Sequence, residues 1–331
     1  MSGATTHDEQ TRDAPGEGAT GARVLWVSGA GSGVGRATAV AAARDGWDLV
    51  LSGRRLDPLE ETRALVDDLG STALVAPLDV TDDAALAAVV AGLDRLDGIV
   101  VAAGLNAPRR AWADQDLADF DRIVATNLTG PAHQVAAALP LLRASGGTVV
   151  LVSSYAAWTH SPGAGVAYSA SKTALGTLVR DLNAQEAGSG IRATHLCPGT
   201  IDSDFLALRP TVPDAAERAA MLTPDDVARA AMFVLATPPH VRVDESRAVA
   251  DVAARRVLIR AARRAHRAQS SGSSSATSSP SASARAIRFR QRAFQIASRR
   301  SVFAFFRRSP RVAERIQSWP TTQESGGNQR W

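Results

Sequence analysis

A glycine-rich turn between an apolar run and a helical run is the feature that most constrains the fold. Residues 23–28 are mostly β-branched, aromatic or aliphatic, which predicts a buried strand, and residues 36–45 have a helical composition. Glycines at such a turn let the backbone approach a pyrophosphate, which the helix N-terminus attracts. The order therefore predicts a dinucleotide-binding unit with contacts from Ser28, Gly29, Ser32, Gly33, Val34 and Gly35.

The end of the next strand indicates which dinucleotide would bind. Residues 48–52 form that predicted strand and complete a βαβ unit, and the chain continues as Gly53-Arg54-Arg55. A site that prefers NAD presents a carboxylate here, whereas a guanidinium suits a 2′-phosphate. Arg54 and Arg55 therefore favour NADP(H) over NAD(H). The alternative is two solvated arginines at a loop tip.

Strands and helices alternate through the following hundred and fifty residues, and short polar or small segments follow the strands. This alternation predicts an α/β fold with a Rossmann-like, doubly wound parallel sheet. Ligands bind such sheets at the carboxyl ends of the strands. The segments at those ends are Asp79-Val80, Ala103-Gly104, Ser153-Ser154 and Pro198-Gly199-Thr200-Ile201.

Asn127 interrupts a helical stretch at residues 113–142. Asparagine within a helix favours local bonds to the backbone, so its position predicts a bulge or a functional kink.

The chain contains 36 arginines and a single lysine, and Lys172 follows Tyr168 by four residues. Positions i and i+4 share a helix face, so the ammonium can lie near the phenol and favour its ionised form. This predicts a lowered pKa for Tyr168. The spacing alone is common by chance, but an ammonium is a compact charge that a guanidinium replaces poorly.

Together these motifs resemble the short-chain dehydrogenase/reductase family in its compact Rossmann form, over residues 23 to about 245. The resemblance is carried by the glycine motif, Asp79-Val80, Asn127, Ser154, Tyr168-x-x-x-Lys172 and a Pro-Gly-x-x-x-Thr pattern. The last of these begins at Pro198-Gly199 and has Ser203 in place of the threonine. Two positions depart from the family pattern. Ser28 stands where threonine is usual, with either hydroxyl expected to serve in local capping, and Ala102 replaces an asparagine that steadies the sheet core.

The resemblance implies NADP-linked interconversion of an alcohol and a carbonyl on a small molecule. Tyr168 would act as general acid or base, Ser154 would polarise the substrate oxygen, and Lys172 would bind the nicotinamide ribose. Asn127 would hold a water that links Lys172 to solvent. Asp79 and Val80 would contact adenine, and the protein would be a homodimer or homotetramer. The C-terminal part resembles the branch of 3-hydroxy-acid and serine dehydrogenases.

Several classes of protein are disfavoured by composition. The single cysteine, Cys197, excludes an intrachain disulfide and fits a reducing compartment. His195, on an apolar strand, is expected to be a core histidine, and no Cys/His/Asp cluster has metal spacing, so we expect no catalytic metal. Residues 1–22 lack the apolar region of a signal peptide, and no apolar run reaches the roughly 18 residues of a membrane span. These features predict an N-terminal disordered extension and a cytoplasmic location.

The charge pattern changes near residue 245. Residues 246–331 hold 18 arginines and three acidic residues, whereas residues 1–245 hold 19 basic and 30 acidic residues. Residues 246–252 lack the apolar pattern of the family's last strand, which predicts that the sheet loses this edge. The basic tail has three interpretations: an out-of-frame translation, a disordered extension, or an arm that binds nucleic acid or anionic membrane. The last leaves an alternative function, a cofactor-binding protein with little turnover.

Overall fold

The structure, a computed structural model, describes residues 21–161 and 163–250. Within these ranges, strands alternate with helices from the first strand to the last. The strands are β1 Val24–Ser28, β2 Asp48–Gly53, β3 Ala73–Pro77, β4 Gly98–Val101, β5 Thr148–Val152, β6 Arg192–Pro198 and β7 Glu245–Ala248. The α-helices are α1 Gly33–Arg44, α2 Leu56–Asp67, α3 Asp83–Ala91, α4 Leu117–Val124, α5 Gly130–Ser145, α6 Val166–Gln185, α7 Ala215–Arg218 and α8 Pro224–Leu235.

All the strand pairs are parallel, in the order β3-β2-β1-β4-β5-β6-β7. The chain runs outward from β1 to β3 and then returns to place β4 on the other side of β1. This reversal opens a crevice at the carboxyl ends of β1 and β4, where α/β sheets bind their ligands. The predicted Rossmann-like fold is confirmed.

Both faces of the central strands β1, β4 and β5 are buried, which explains why these strands are mostly apolar. Leu25 and Val27 of β1 pack on the side of α1 and α8, and Trp26 packs on the opposite side with α5 and α6. The indole nitrogen of Trp26 donates to Ser52 Oγ at 2.8 Å, so its polar atom is satisfied in the core.

The predicted interruption at Asn127 is a wide helical turn. Residues Ala125–Thr129 form a π-helical segment between α4 and α5. The Asn127 side chain, 0 % exposed, accepts from the Leu105 amide at 2.7 Å and donates to the Leu105 carbonyl at 2.8 Å. The bulge thus fastens the helix to the segment after β4.

The predicted loss of the last strand is wrong. β7 pairs in parallel with β6 over four residues, from His195 opposite Glu245 to Pro198 opposite Ala248. Parallel pairing depends on backbone groups, so this edge strand forms without an apolar run. The folded domain therefore extends beyond residue 245.

Other predictions about the termini fall on residues 1–20 and 251–331, outside the described residues. Among the helices that the structure describes, none combines the length and apolarity needed to cross a membrane.

Candidate active site

A cavity of about 490 Å³ lies at the carboxyl ends of β1, β4, β5 and β6. The glycine turn lines one part of it, and Ser154, Tyr168 and Lys172 line another. The structure therefore joins the two motifs that the sequence places more than a hundred residues apart.

The glycine turn is a cradle of bare backbone. Gly29 and Gly33 have φ of 68° and 49°, in the left-handed region that favours glycine. A Cβ on Gly29 would lie 2.8 Å from the Ala103 amide nitrogen, and one on Gly35 would lie 2.2 Å from the Gly29 carbonyl oxygen. Because α1 begins here and Ser32, Gly33, Val34 and Gly35 line the cavity, the turn fits a pyrophosphate at a helix N-terminus.

Arg36, which the motifs of the sequence did not single out, holds this turn in place. Its Nη2 donates to the Gly31 carbonyl at 2.6 Å and to Glu61 at 2.8 Å, while Nε donates to Thr62 Oγ1 at 3.0 Å. These bonds join the turn to α2. Its place directly after the last glycine was the available signal.

Ser28 does not behave as predicted. Its hydroxyl is buried at the end of β1, and no group of the described chain forms a hydrogen bond with it. Ser28 also does not line the cavity. The local capping expected of this hydroxyl is therefore wrong, because the buried hydroxyl has no hydrogen-bond partner among the described residues.

The residues predicted to bind the adenosine half lie outside the cavity lining. Arg54 and Arg55 are exposed at the carboxyl end of β2. Asp79 Oδ1 accepts from the amide and hydroxyl of Thr81, and Val80 is buried. All four nevertheless follow strands β2 and β3, whose carboxyl ends lie on the same side of the sheet as the glycine turn.

The two serines after β5 have different partners. Ser153 Oγ donates to the Lys172 carbonyl at 2.9 Å and is buried. Ser154 lines the cavity, its hydroxyl accepts from the Ala156 amide at 3.2 Å, and it lies close enough to the Tyr168 phenol to act on the pKa of that group. The structure thus places Ser154, rather than Ser153, next to the phenol.

Lys172 is 4 % exposed and lies one helical turn after Tyr168 on α6. Its Nζ donates to the Val152 carbonyl at 2.9 Å and lies 5.9 Å from the centre of the Tyr168 ring. Burial lowers the pKa of this ammonium to about 8, with Cys197 acting in the opposite direction.

The predicted direction of the Tyr168 pKa is wrong. Burial raises the pKa of the phenol above its usual value, against the effects of the neighbouring Ser154 hydroxyl and of the charges on Arg209 and Arg110. Lys172 is not among the groups that shift this pKa, which the desolvation of the phenol dominates.

Asn127 and Lys172 meet around Gly104. Asn127 Oδ1 and Lys172 Nζ would each lie 3.7 Å from a Cβ on Gly104. Gly104 and Ala103 also line the cavity. The structure thus brings together these predicted site residues.

The segment after β6 forms the far wall of the cavity, which is lined by Pro198, Gly199, Thr200, Ile201 and Ser203. The Gly199 amide donates to the Ala248 carbonyl at 2.7 Å, so β7 supports this wall. Two arginines that the sequence did not single out, Arg110 and Arg209, also line the cavity, as does Phe205, whose ring centre lies 6.0 Å from that of Tyr168. Nothing in the sequence distinguishes these two among 36 arginines.

His195 is buried, as expected, and burial lowers its pKa. Its Nε2 lies 3.3 Å from the Lys172 carbonyl, and its Nδ1 lies 3.4 Å from Cys197 Sγ and 3.5 Å from Glu245. Pairing of β6 with β7 creates this cluster, whose potential ligand atoms lie within 4.8 Å of one another. Linear spacing could not show it, and the absence of a catalytic metal stays a prediction.

Comparison with known proteins agrees with this geometry. A family model described as short chain dehydrogenase matches residues 23–211. A sulfoacetaldehyde reductase from Chromohalobacter salexigens is 35% identical over 228 residues, which are 66% of this chain and 89% of that protein.

Two solved structures show the same fold. An alcohol dehydrogenase from the archaeon Thermococcus sibiricus, complexed with 5-hydroxy-NADP, has a TM-score of 0.62 and 28% identity, covering 70% of this chain and 97% of its own. A short chain dehydrogenase from Mycobacterium paratuberculosis, bound to NAD, has a TM-score of 0.59 and 28% identity, covering 69% and 96%.

Proposed function

Because the chain belongs to the short-chain dehydrogenase family, we propose that it is an NADP-dependent oxidoreductase in which Tyr168 is the general acid and base. The similar sulfoacetaldehyde reductase and the alcohol dehydrogenase complexed with 5-hydroxy-NADP support interconversion of an alcohol and a carbonyl with a nicotinamide cofactor. The observation that carries this proposal is that Ser154, Tyr168 and Lys172 line the same cavity as the glycine turn. The hydroxyl groups of Ser154 and Tyr168, which line this cavity, can both contact a substrate oxygen.

The residues fit a nicotinamide dinucleotide, which supplies or accepts a hydride at the substrate carbon when bound. The bare backbone of Gly29 to Gly35 would hold the pyrophosphate, and Lys172 would donate to the nicotinamide ribose. Asp79 and Val80 would contact adenine. Pro198, Gly199, Thr200 and Ile201 would close the opposite side.

Arg54 and Arg55 support NADP as the preferred cofactor. Both are exposed after β2, and no acidic residue of the described chain forms an ion pair with either. Their guanidinium groups are therefore available to a 2′-phosphate, which they can bind through paired N–H groups.

Acid–base chemistry follows from the environment of Tyr168. Its raised pKa keeps the phenol protonated at neutral pH, the form that donates a proton to a carbonyl oxygen during reduction. Ser154 would hold that oxygen by a hydrogen bond. In the oxidative direction the phenolate form of Tyr168 would accept the alcohol proton. Assistance of this kind is typically worth about 10²–10⁴-fold in rate.

The remaining proposals concern the substrate, assembly and location. The relative from Chromohalobacter is named for an aldehyde, which supports a small aldehyde or ketone as substrate. We also propose a homo-oligomer and a cytoplasmic location, the latter supported by the single, buried cysteine.

Cofactor oxidation tests the proposal. The purified full chain is mixed with NADPH or NADH and a panel of small aldehydes and ketones, and the absorbance of the reduced nicotinamide is followed. We expect turnover with at least one carbonyl and a higher kcat/KM with NADPH. Tight NADPH binding without turnover of any panel member would contradict the enzymatic proposal, and faster turnover with NADH would contradict the cofactor preference.

A further inference from the structure

Two arginines lie beside Tyr168 without acidic partners. Arg110, 7 % exposed, and the partly buried Arg209 both line the cavity. In the part of the chain that the structure describes, neither takes part in an ion pair. Their charges act on the phenol, and that of Arg209 also lowers the pKa of Arg110. The three side chains therefore share one region of the cavity.

The hydrogen-bonding groups of Arg110 are used by the backbone. Its Nε donates to the Ala107 carbonyl at 2.6 Å, Nη1 donates to the Gly163 carbonyl at 3.2 Å, and Nη2 donates to the Leu208 carbonyl. These bonds hold together three segments around the cavity. Carbonyl groups satisfy these donors but do not neutralise the positive charge of Arg110. That charge can therefore attract a ligand in the cavity.

The Arg209 guanidinium has more N–H donors than its hydrogen bonds within the described residues use. Arg209 follows the short helical turn Asp204–Leu208, and the hydrogen bond that the structure gives it is a long one, from Nη2 to Thr200 Oγ1 at 3.5 Å. A guanidinium carries five N–H groups in a planar fork. Most of these groups are therefore free for a ligand in the cavity.

The nearby acids do not balance this charge. Asp202 is paired with Arg218 at 2.6 Å. Asp204 lines the cavity but is exposed, and it lies beyond ion-pair distance of Arg110 and Arg209. Two like charges in a partly buried cavity repel each other, and an anion between them would remove that cost.

We propose that the substrate carries an anionic oxygen group, a carboxylate or a sulfonate, which Arg209 binds while the charge of Arg110 strengthens the attraction. This inference rests on the proposed function. A planar guanidinium fork matches paired oxygens of either group. The reacting carbonyl then lies next to Tyr168 and Ser154, and the anionic end lies toward Arg209. Arg209 is thus a specificity-determining residue.

A matched pair of substrates tests the proposal. Acetoacetate and methyl acetoacetate share the same ketone and differ in the negative charge, and 2-oxoethanesulfonate tests the sulfonate. With NADPH, we expect the protein to prefer at least one charged compound over the ester. Arg209→Met should lower kcat/KM for that compound by about 10- to 100-fold, mainly through KM, as expected for loss of charge-assisted hydrogen bonds. Arg209→Lys should recover part of the loss.

Two controls separate the substrate from the cofactor and from general damage. The Kd for NADPH, measured by its fluorescence, should not change in Arg209→Met. Arg229→Met removes an exposed arginine that pairs with Asp226 on α8, and it should leave the ratio of charged to neutral turnover unchanged.

Reduction of the ester and other neutral carbonyls without reduction of either charged compound would overturn the inference while leaving the proposed function intact. An unchanged ratio in Arg209→Met would do the same. A large rise in the Kd for NADPH in that variant would assign Arg209 to the cofactor and also overturn it. Absence of turnover with every compound would instead contradict the proposed function, on which the inference depends.

Discussion

The hydroxyl of Ser153 donates a hydrogen bond to the backbone carbonyl of Lys172 at 2.9 Å. This bond joins the end of β5 to α6, and each side of the joint carries a residue of the proposed site. Ser154 follows on the strand, and Tyr168 lies one turn earlier on the helix. The bond of Ser153 to the Lys172 carbonyl therefore helps to set the distance between Ser154 and Tyr168.

Ser153→Ala should lower stability more than chemistry. Loss of one buried hydrogen bond should reduce the free energy of unfolding by about 1 kcal/mol. Ser154→Ala is the matched variant, and it should lower kcat strongly while changing stability less, because Ser154 lines the cavity and its hydroxyl accepts only a longer bond, from the Ala156 amide at 3.2 Å. Urea unfolding and NADPH oxidation of both variants measure the two effects. A larger loss of kcat in Ser153→Ala than in Ser154→Ala would reverse the assignment.

Lys172→Met should abolish activity and stabilise the fold. Burial lowers the pKa of Lys172 from 10.5 to about 8, so the protonated side chain costs on the order of 3 kcal/mol at neutral pH. Loss of the bond to the Val152 carbonyl offsets about 1 kcal/mol of the gain. The expected net gain is about 1–3 kcal/mol in urea unfolding near pH 7.

The pH dependence checks the cause of this gain. Between pH 8 and 10.5 the folded protein has released the lysine proton and the unfolded chain has not, so wild-type stability rises with pH in this window. The advantage of Lys172→Met should therefore shrink as pH increases through it. An advantage that is constant with pH would show that the charge of Lys172 is not the source.

Ser28→Ala should leave stability unchanged or raise it by up to about 1 kcal/mol, since it removes a buried hydroxyl without a partner in the described chain. Ser52→Ala is the control on the adjacent strand. Ser52 Oγ accepts from the Trp26 indole at 2.8 Å, so its loss should cost about 1–2 kcal/mol. Thermal unfolding of both variants compares them, and equal destabilisation would mean that Ser28 has a partner in solution.

Replacement of Arg54 and Arg55 by alanine should weaken NADPH binding by about 10- to 100-fold and change NADH binding little. The reason is that only NADPH carries the 2′-phosphate. Arg63→Ala, which removes a partly exposed arginine paired with Glu60 on α2, serves as the control. Equal losses for both cofactors in the double variant would contradict the predicted role.

Local patterns predicted most of the fold. Strands buried on both faces must be apolar throughout, and the bulge at Asn127 follows from its preference for backbone bonds. β7 could not be predicted, because the backbone of β6 provides its pairing and its own residues show no apolar pattern. The strand therefore lies just where the charge pattern of the sequence changes.

The site was predictable where one short motif holds its residues together, as in Tyr168 and Lys172 or the glycine turn. The direction of the Tyr168 pKa was not, because burial of the phenol decides it, against the opposing charges of Arg110 and Arg209, which loops bring to the phenol from distant positions. Because Arg110 and Arg209 are far from Tyr168 in sequence, the positive charge of the proposed substrate pocket could not be predicted either.

The most direct test of the account is the rate of NADPH oxidation by Tyr168→Phe, with a reactive carbonyl and with the Kd for NADPH measured alongside. The phenol is the proposed proton donor, so kcat should fall by about 10²–10⁴-fold while NADPH binding stays unchanged. A kcat within a few-fold of wild type would contradict the role of Tyr168 as the general acid and base.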